Sequence, residues 1–268
     1  MNIELKPISF VTVSHGHYHY LVELLESIKQ YWHSPFEFII VDNLNSDLFE
    51  PFIERFNKLL ASRVSVVRLF KYDKPKSFGV GNNFAVRHAQ YDNLFIINPD
   101  TRFIDDSVYQ WFQDTDVGSQ LYYPKLLNTD GTNQQHYNEW PSIPNQFIRL
   151  VKAKLKLPTA QKQKRHDWYF ASAIVISKQL FSKLKGFEEI FPLYCEDVDL
   201  CYKAYLMGVP FSRIEQVQMV HHLGGEAKHK YLVKAIISNV LWRYVKVRNR
   251  ILLGNVNRRR NTRYASKH

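Results

Sequence analysis

Three places in this 268-residue chain carry residue types that could do chemistry. The first is Leu94-Phe95-Ile96-Ile97-Asn98-Pro99-Asp100-Thr101. Its consecutive apolar residues predict a strand covered on both faces, as inside a parallel sheet. Pro99 has no N–H to give a ladder and ends the strand. Asp100 is thereby delivered just beyond the strand's carboxyl end, where open α/β sheets form their ligand crevice. A carboxylate there suits a hard divalent cation, Mg²⁺ or Mn²⁺, carrying a diphosphate. Taken alone, the same residue serves equally to start a turn or cap a helix.

The second place is Glu196-Asp197-Val198-Asp199-Leu200, which opens a predicted helix running to about Met207. The helix dipole favours acids at an N-terminus. Crowded like charges nonetheless cost energy unless a cation or a proton-transfer role uses them. The third is His221-His222-Leu223-Gly224-Gly225, after a strand predicted over Ile214–Val220. A histidine at a strand end followed by two glycines could reach a metal, and a structural histidine fits the position as well.

The elements that must position these groups follow from periodicity. Ile8–Val13 and Phe36–Val41 read as buried strands, with helical spacing between them over Tyr20–Trp32. A helix over Phe49–Leu60 and a strand over Val64–Phe70 come next. Lys74–Asn83 reads as a glycine-containing turn leading into a helix that ends at His88. Strand and helix thus alternate through the first hundred residues, the pattern of an α/β fold with a doubly wound, mostly parallel sheet. Polar residues stand at the strand ends: Thr12 and Ser14 on the first, Asp42 and Asn43 after the second. An acid at the second position can hold a base or ribose, or make an Asx-turn. Gly79 and Gly81 would let backbone approach a ligand, and Asn82 or Asn83 could bind it or cap the helix. The spacing is not that of the lysine-containing phosphate-binding loop. Further on, Tyr122–Leu127 and Tyr169–Ile176 read as strands, and Asn128-Thr129-Asp130-Gly131 as a turn.

Composition supports a folded protein: 45% of residues are hydrophobic and 15% aromatic. Cys195 and Cys201 are the only cysteines, six apart, which points to a reducing compartment. Ile8–Val13 is too short for a signal core, and no run approaches the roughly 20 apolar residues of a spanning helix. A cytoplasmic location is the expectation. The net charge of +11 is concentrated at one end: Lys228–His268 holds 12 Lys or Arg and no acid, against 24 basic and 25 acidic residues before it. Such a tail implies an anionic partner surface, lipid headgroups or nucleic acid. Within it Val233, Ile236, Ile237, Val240, Leu241 and Tyr244 recur at helical spacing among Lys234, Arg243, Lys246 and Arg250. That is a basic amphipathic helix, lying on a membrane or packed on the sheet, and the segment from Arg258 onward reads as unstructured. The organisation expected is a domain over 1–227 and a basic helix and tail over 228–268. Arg149–His166, with seven basic residues and no acid, reads as a basic surface loop.

In combination, Thr12 and Ser14, Asp42, Phe78-Gly79-Val80-Gly81-Asn82-Asn83, Asn98-Pro99-Asp100, Gly186-Phe187, Glu196-Asp197-Val198-Asp199-Leu200 and His221 resemble, in order and spacing, the family 2 glycosyltransferases. The resemblance runs from Ile8 to His222. Within that family it is nearest the rhamnosyltransferases of O-antigen assembly, through Val13-Ser14-His15-Gly16-His17 and Tyr194-Cys195-Glu196-Asp197.

The resemblance implies the GT-A fold and an inverting sugar transfer from a nucleotide-sugar, dTDP-rhamnose. The implied acceptor is a polyprenyl-diphosphate-linked saccharide at the inner face of the cytoplasmic membrane. It places Thr12, Ser14, Asp42, Asn43, Gly79, Asn82, Asn83, Asn98 and Asp100 on the nucleotide-sugar, with Asn98 standing where the family's Asp-x-Asp motif has its first acid. It gives a divalent cation to Asp100 and His221. Asp197 is implied as the base, with Glu196 or Asp199 as the runner-up, and Glu196 and Asp199 on the acceptor. A donor of another kind, a UDP-hexose or galactofuranose, is compatible with the same motifs. A nucleic-acid-binding protein is the reading from a different class; it rests only on the charge and on tail aromatics such as Trp242, and the near-neutral body opposes it.

Overall fold

The computed structural model describes residues 5–45, 47–60, 65–141, 166–222 and 232–265. Four strands and three helices alternate first, in the predicted order: β1 (Ile8–Ser14), α1 (Tyr18–Tyr31), β2 (Phe36–Asp42), α2 (Glu50–Leu60), β3 (Val66–Lys71), α3 (Phe78–His88) and β4 (Asn93–Ile97). β1 pairs in parallel with both β2 and β4, and β2 with β3. The remaining elements are β5 (Thr101–Phe103), α4 (Ser107–Asp114), β6 (Leu121–Leu127), β7 (Tyr137–Asn138), β8 (Trp168–Tyr169), β9 (Ala173–Ser177), α5 (Lys178–Lys183), α6 (Glu196–Leu206), β10 (Phe211–His221) and α7 (Leu232–Ala265). They extend the sheet to eight strands in the order β3-β2-β1-β4-β9-β6-β10-β5, while β7 and β8 form a separate antiparallel pair. β9 runs antiparallel to both β4 and β6, β10 parallel to β6, and β5 antiparallel to β10.

Alternation along each strand sends side chains to two apolar layers. Phe10, Phe38, Ile40, Phe95 and Ile97 face the layer containing residues of α1, α2 and α4. Val11, Val13, Ile39, Val41, Leu94 and Ile96 face the layer containing residues of α3, α5, α6 and α7. Phe10 anchors the first layer, with the rings of Trp32, Phe36, Phe38, Phe95 and Phe103 all within 6.1 Å.

Several sequence expectations need correction. The segment read as one strand over Tyr169–Ile176 is broken by a turn at Phe170–Ser172 into β8 and β9. The short elements β5, α4 and α5 were not read. α3 already begins at Phe78, capped by Ser77, whose Oγ accepts from the Val80 N–H, so Gly79 and Gly81 lie inside the helix and not in a turn before it. The C-terminal helix continues to Ala265, beyond the Arg258 at which it was expected to stop. The basic stretch 149–165 lies outside the described residues. Both cysteines are free thiols and buried.

α7 has two apolar faces. Ser238, Trp242, Val245 and Asn249, spaced by four, three and four, are buried. Trp242 meets the Tyr202 ring of α6 edge-on at 5.4 Å, and Ser238 Oγ donates to the Leu193 carbonyl at 2.6 Å. Of the predicted stripe, Leu241 packs against the core, whereas Val233, Ile236, Ile237, Val240 and Tyr244 are exposed, Tyr244 to 62%, on a face that Val247 and Ile251 continue. No described helix is long and apolar enough to cross a membrane.

Candidate active site

The end of β4 is shaped by three backbone contacts. The Asn98 N–H donates to the Ser172 carbonyl at 2.8 Å, the Thr101 hydroxyl donates to the Asn98 carbonyl at 2.7 Å, and the His222 N–H donates to the Asp100 carbonyl at 2.8 Å. Pairing of β5 with β10 sets Thr101 opposite His221. Two residues distant in sequence thereby meet: His221 Nε2 stands 3.3 Å from Asp100 Oδ1. The other ring nitrogen, Nδ1, lies 2.7 Å from Oε1 of Gln134, a buried residue that the sequence reading did not single out.

The acidic segment is presented by strained backbone. Tyr194 and Cys195 are consecutive non-glycine residues in the left-handed region, at φ 66° and 72°. Such residues cost of order 1–3 kcal/mol each and gather at functional sites. Cys195 caps α6 without a side-chain bond, and Glu196 and Asp197 follow in its first turn. Asp197 accepts from the Val198 N–H at 2.8 Å, and the nearby Ala171 backbone favours its charged form. Glu196 is buried, and its Oε2 finds no hydrogen-bond partner among the described residues. Burial, and then the Asp197 charge, pushes the Glu196 carboxyl well above the usual range. Burial also raises Asp197, against the pull of its backbone N–H donors. Asp197 lies near the end of β4 through adjacent residues: the Ala171 backbone acts on its carboxylate, and the Ser172 carbonyl accepts from the Asn98 N–H.

Asp199 is placed differently. Its carboxylate, fully buried, pairs with Lys203 Nζ at 2.8 Å and accepts from Asn249 Nδ2 at 2.6 Å. Lys203 also donates to the Gly186 carbonyl at 2.6 Å. Both Asp199 oxygens are taken up between α6 and α7, so the expected acceptor role does not fit its position.

The first-strand and second-strand residues gather at the carboxyl ends of the neighbouring interior strands β1 and β2. Asn43 N–H donates to the Ser14 carbonyl at 2.9 Å, and Ser14 Oγ accepts from the His17 N–H at 3.3 Å. Asp42 Oδ1 accepts from the Leu44 N–H at 3.0 Å, the Asx-turn that local sequence allowed. Asn43 clamps the Lys76 backbone through both ends of its amide and reaches His15 Nε2 at 2.8 Å. Thr12 Oγ1 is buried with no partner among the described residues, as is Oδ1 of Asn82, whose Nδ2 donates to the Phe78 carbonyl at 3.0 Å. Gly79 and Asn83 fit the ligand role poorly. A Cβ on Gly79 would stand 3.2 Å from that of Phe187, and one on Gly81 only 2.8 Å from Val13 Cγ2, so both glycines let α3 approach the protein's own chain. Asn83 donates to the Phe187 carbonyl and to Glu189 and accepts from the Phe187 N–H, which exhausts its amide.

Comparison with known proteins decides the family. The sequence profile of glycosyl transferase family 2 matches residues 9–165. The chain belongs to this family. The glycosyltransferase is 23% identical over 229 residues to rhamnosyltransferase WbbL of Escherichia coli (strain K12), covering 80% of this chain and 83% of that protein. It is 27% identical over 217 residues to the O-antigen biosynthesis protein RfbC of Myxococcus xanthus, covering 75% of this chain but only 16% of that protein. Among solved structures, the mannosyltransferase PcManGT from Pyrobaculum calidifontis, in complex with GDP-Man and Mn²⁺, superposes with a TM-score of 0.60 at 13% identity, over 88% of this chain and 63% of that one. At such identity the likeness concerns the fold, and that fold is GT-A, as the motifs implied.

For this glycosyltransferase the matched region stops short of both α6 and His221, so the acidic pair and the Asp100 partner are assigned by geometry. Asp100 and His221 offer a carboxylate oxygen beside an imidazole nitrogen, a donor set that fits a divalent cation; among the described residues no third His, Cys, Asp or Glu joins them.

Proposed function

We propose that the protein transfers a sugar, L-rhamnose from dTDP-rhamnose, with inversion, to a polyprenyl-diphosphate-linked saccharide in cell-surface polysaccharide synthesis. The observation that carries this reading is the tie between the two chemical centres. The Ala171 backbone favours the charged Asp197 carboxylate, and the next residue, Ser172, accepts a hydrogen bond from Asn98 at the start of the Asn98–Asp100 turn. A proton acceptor and a diphosphate-binding acid held in fixed relation are what an in-line displacement requires.

Asp197 is the base. It takes the acceptor hydroxyl's proton as that oxygen bonds to the anomeric carbon, while the bond from carbon to the nucleoside diphosphate breaks. Configuration inverts in this one step, and no covalent enzyme intermediate forms. The raised carboxyl affinity for protons suits the role, since a base works best with a pKa near the operating pH. Glu196 stands beside it to orient the acceptor. Asp100 and His221 would hold Mg²⁺ or Mn²⁺, which stabilises negative charge on the departing diphosphate. Thr12, Ser14, Asp42, Asn43, Asn82 and Asn98 are the candidates for the nucleotide-sugar.

The choice of rhamnose is supported by the likeness to WbbL, a rhamnosyltransferase by name. The lipid-linked acceptor and a peripheral place on the inner face of the cytoplasmic membrane are supported by α7. Its exposed apolar face is flanked by Lys234, Arg243, Lys246 and Arg250. Self-association through that face would bring like charges together with no acid to answer them, whereas an anionic leaflet complements both features.

The deciding experiment is a donor panel. dTDP-rhamnose should raise the melting temperature and be consumed when the lipid-linked acceptor is supplied, because a ligand bound only by the native state stabilises it. Stabilisation and turnover with a UDP-hexose and not with dTDP-rhamnose would refute the donor and leave the family assignment intact.

A further inference from the structure

The polar side chains around Gln134 form a hydrogen-bond chain whose direction is fixed at both ends. The Asp130 carboxylate, kept ionised by its bonds from Thr132, can only accept, so the Thr132 hydroxyl donates to it at 2.6 Å. Thr132 Oγ1 therefore accepts from Asn128 Nδ2 at 2.9 Å, which turns Asn128 Oδ1 toward Gln134 Nε2 at 3.1 Å. The second hydrogen of that Gln134 amide goes to the His221 main-chain carbonyl at 3.1 Å, an acceptor that cannot reverse. With its NH₂ committed twice, Gln134 faces His221 with its oxygen, and Nδ1 at 2.7 Å must carry the ring proton. In the neutral imidazole the lone pair then lies on Nε2, 3.3 Å from Asp100 Oδ1. A lone pair facing a carboxylate oxygen repels it, unless a proton or a divalent cation is shared between them.

We propose that Gln134 is the positioning residue of this site: it holds His221 as the Nδ1–H tautomer and so presents Nε2 to the cation beside Asp100. The cation belongs to the reading of the site given above, whereas the tautomer is a property of the protein alone. Groups that orient a ligating histidine typically change metal affinity about 10–100-fold when removed.

Long-range ¹H–¹⁵N correlation spectra of the metal-free full chain at pH 8 report the tautomer, the His221 signal being identified by its loss in His221→Asn. The wild type should show the proton on Nδ1. Gln134→Met, which keeps volume but removes the acceptor, should give mixed tautomers and weaken Mn²⁺ binding, followed by electron paramagnetic resonance, about 10–100-fold. Gln134→Glu keeps an oxygen facing Nδ1 while giving up both NH₂ donors, and should return the ring proton to Nδ1. A wild-type His221 protonated on Nε2 overturns the proposal without any variant. So does a folded Gln134→Met protein with unchanged tautomer and unchanged Mn²⁺ affinity. Wild-type protein with Nδ1–H that binds no Mn²⁺ would uphold the role of Gln134 and overturn the cation reading instead.

Discussion

Asn249 of the C-terminal helix donates a 2.6 Å hydrogen bond to Asp199, two residues after Asp197 in the acid-bearing helix. The C-terminal helix is thus fastened to the helix that carries the proposed base. Around this bond Arg248 pairs with Glu188, and Lys246 lies 5.7 Å from the Tyr202 ring.

Asp199 is accordingly a stability residue. Removing one partner of a buried ion pair leaves the other charge uncompensated and costs about 3–5 kcal/mol. Asp199→Ala should lower the urea midpoint strongly, while turnover per folded molecule survives. Undiminished stability with lost turnover would return Asp199 to the acceptor site.

Asp197→Asn should reduce turnover about 10²–10⁴-fold, the usual range for a general base. Nucleotide-sugar binding, followed calorimetrically, should be little changed. If turnover is retained, the proton goes to Glu196.

The acidic pair also sets the pH response. Both carboxyls are raised by burial, and Glu196 further by the Asp197 charge. A base must be ionised to act, so the acid limb of the rate profile should lie above the ordinary carboxylate range. For stability the sign is opposite. A carboxyl with a raised folded pKa favours the fold at low pH, and that contribution is lost as pH climbs from the unfolded toward the folded value. Glu196→Gln should therefore stabilise the protein at pH 8 and do so less at pH 5. Equal gains at both would show that Glu196 is not raised.

Asp100→Ala should weaken binding of a nucleoside diphosphate when Mn²⁺ is present, and His221→Ala should weaken it less. Full activity in EDTA, with normal binding by Asp100→Ala, would exclude the cation.

The two faces of the C-terminal helix separate by mutation. Trp242→Ala opens the buried side and should cost about 3–5 kcal/mol. Ile237→Glu and Tyr244→Glu, on the exposed side, should leave the urea midpoint within about 0.5 kcal/mol. These two should abolish binding to phosphatidylglycerol vesicles, binding that added salt also weakens in the wild type. Wild-type protein that ignores such vesicles at low salt would remove the membrane from the proposal.

What was legible in the sequence follows from where each signal is stored. β1, β2 and β4 are written as short apolar runs because both their faces are buried, and Asp42 and Asp100 are found by counting to the strand ends. β5 is three residues long and exists through its pairing with β10, a partner more than a hundred residues away that no local pattern discloses. Gln134 is hidden for the same reason, its role arising only where the turn after β6 meets the end of β10. In α7 the packed face includes Ser238 and Asn249, so its apolar pattern is weaker than that of the exposed face. Of the residues singled out by hydrophobic spacing, Leu241 lies on the packed side and the others face outward.

The place of β10 in the sheet, between β6 and β5, has a consequence for synthesis. The parallel strands β1 to β4 leave the ribosome as one contiguous block and can pair as they emerge. Asp100 emerges with them but gains its histidine only after residue 221 has been made and β10 has slid in beside β5. The Asp100–His221 pair is thus closed only once β10 has joined the sheet, with α7 docking on α6 later still, and a chain that ends before residue 221 holds β1 to β4 but lacks the histidine.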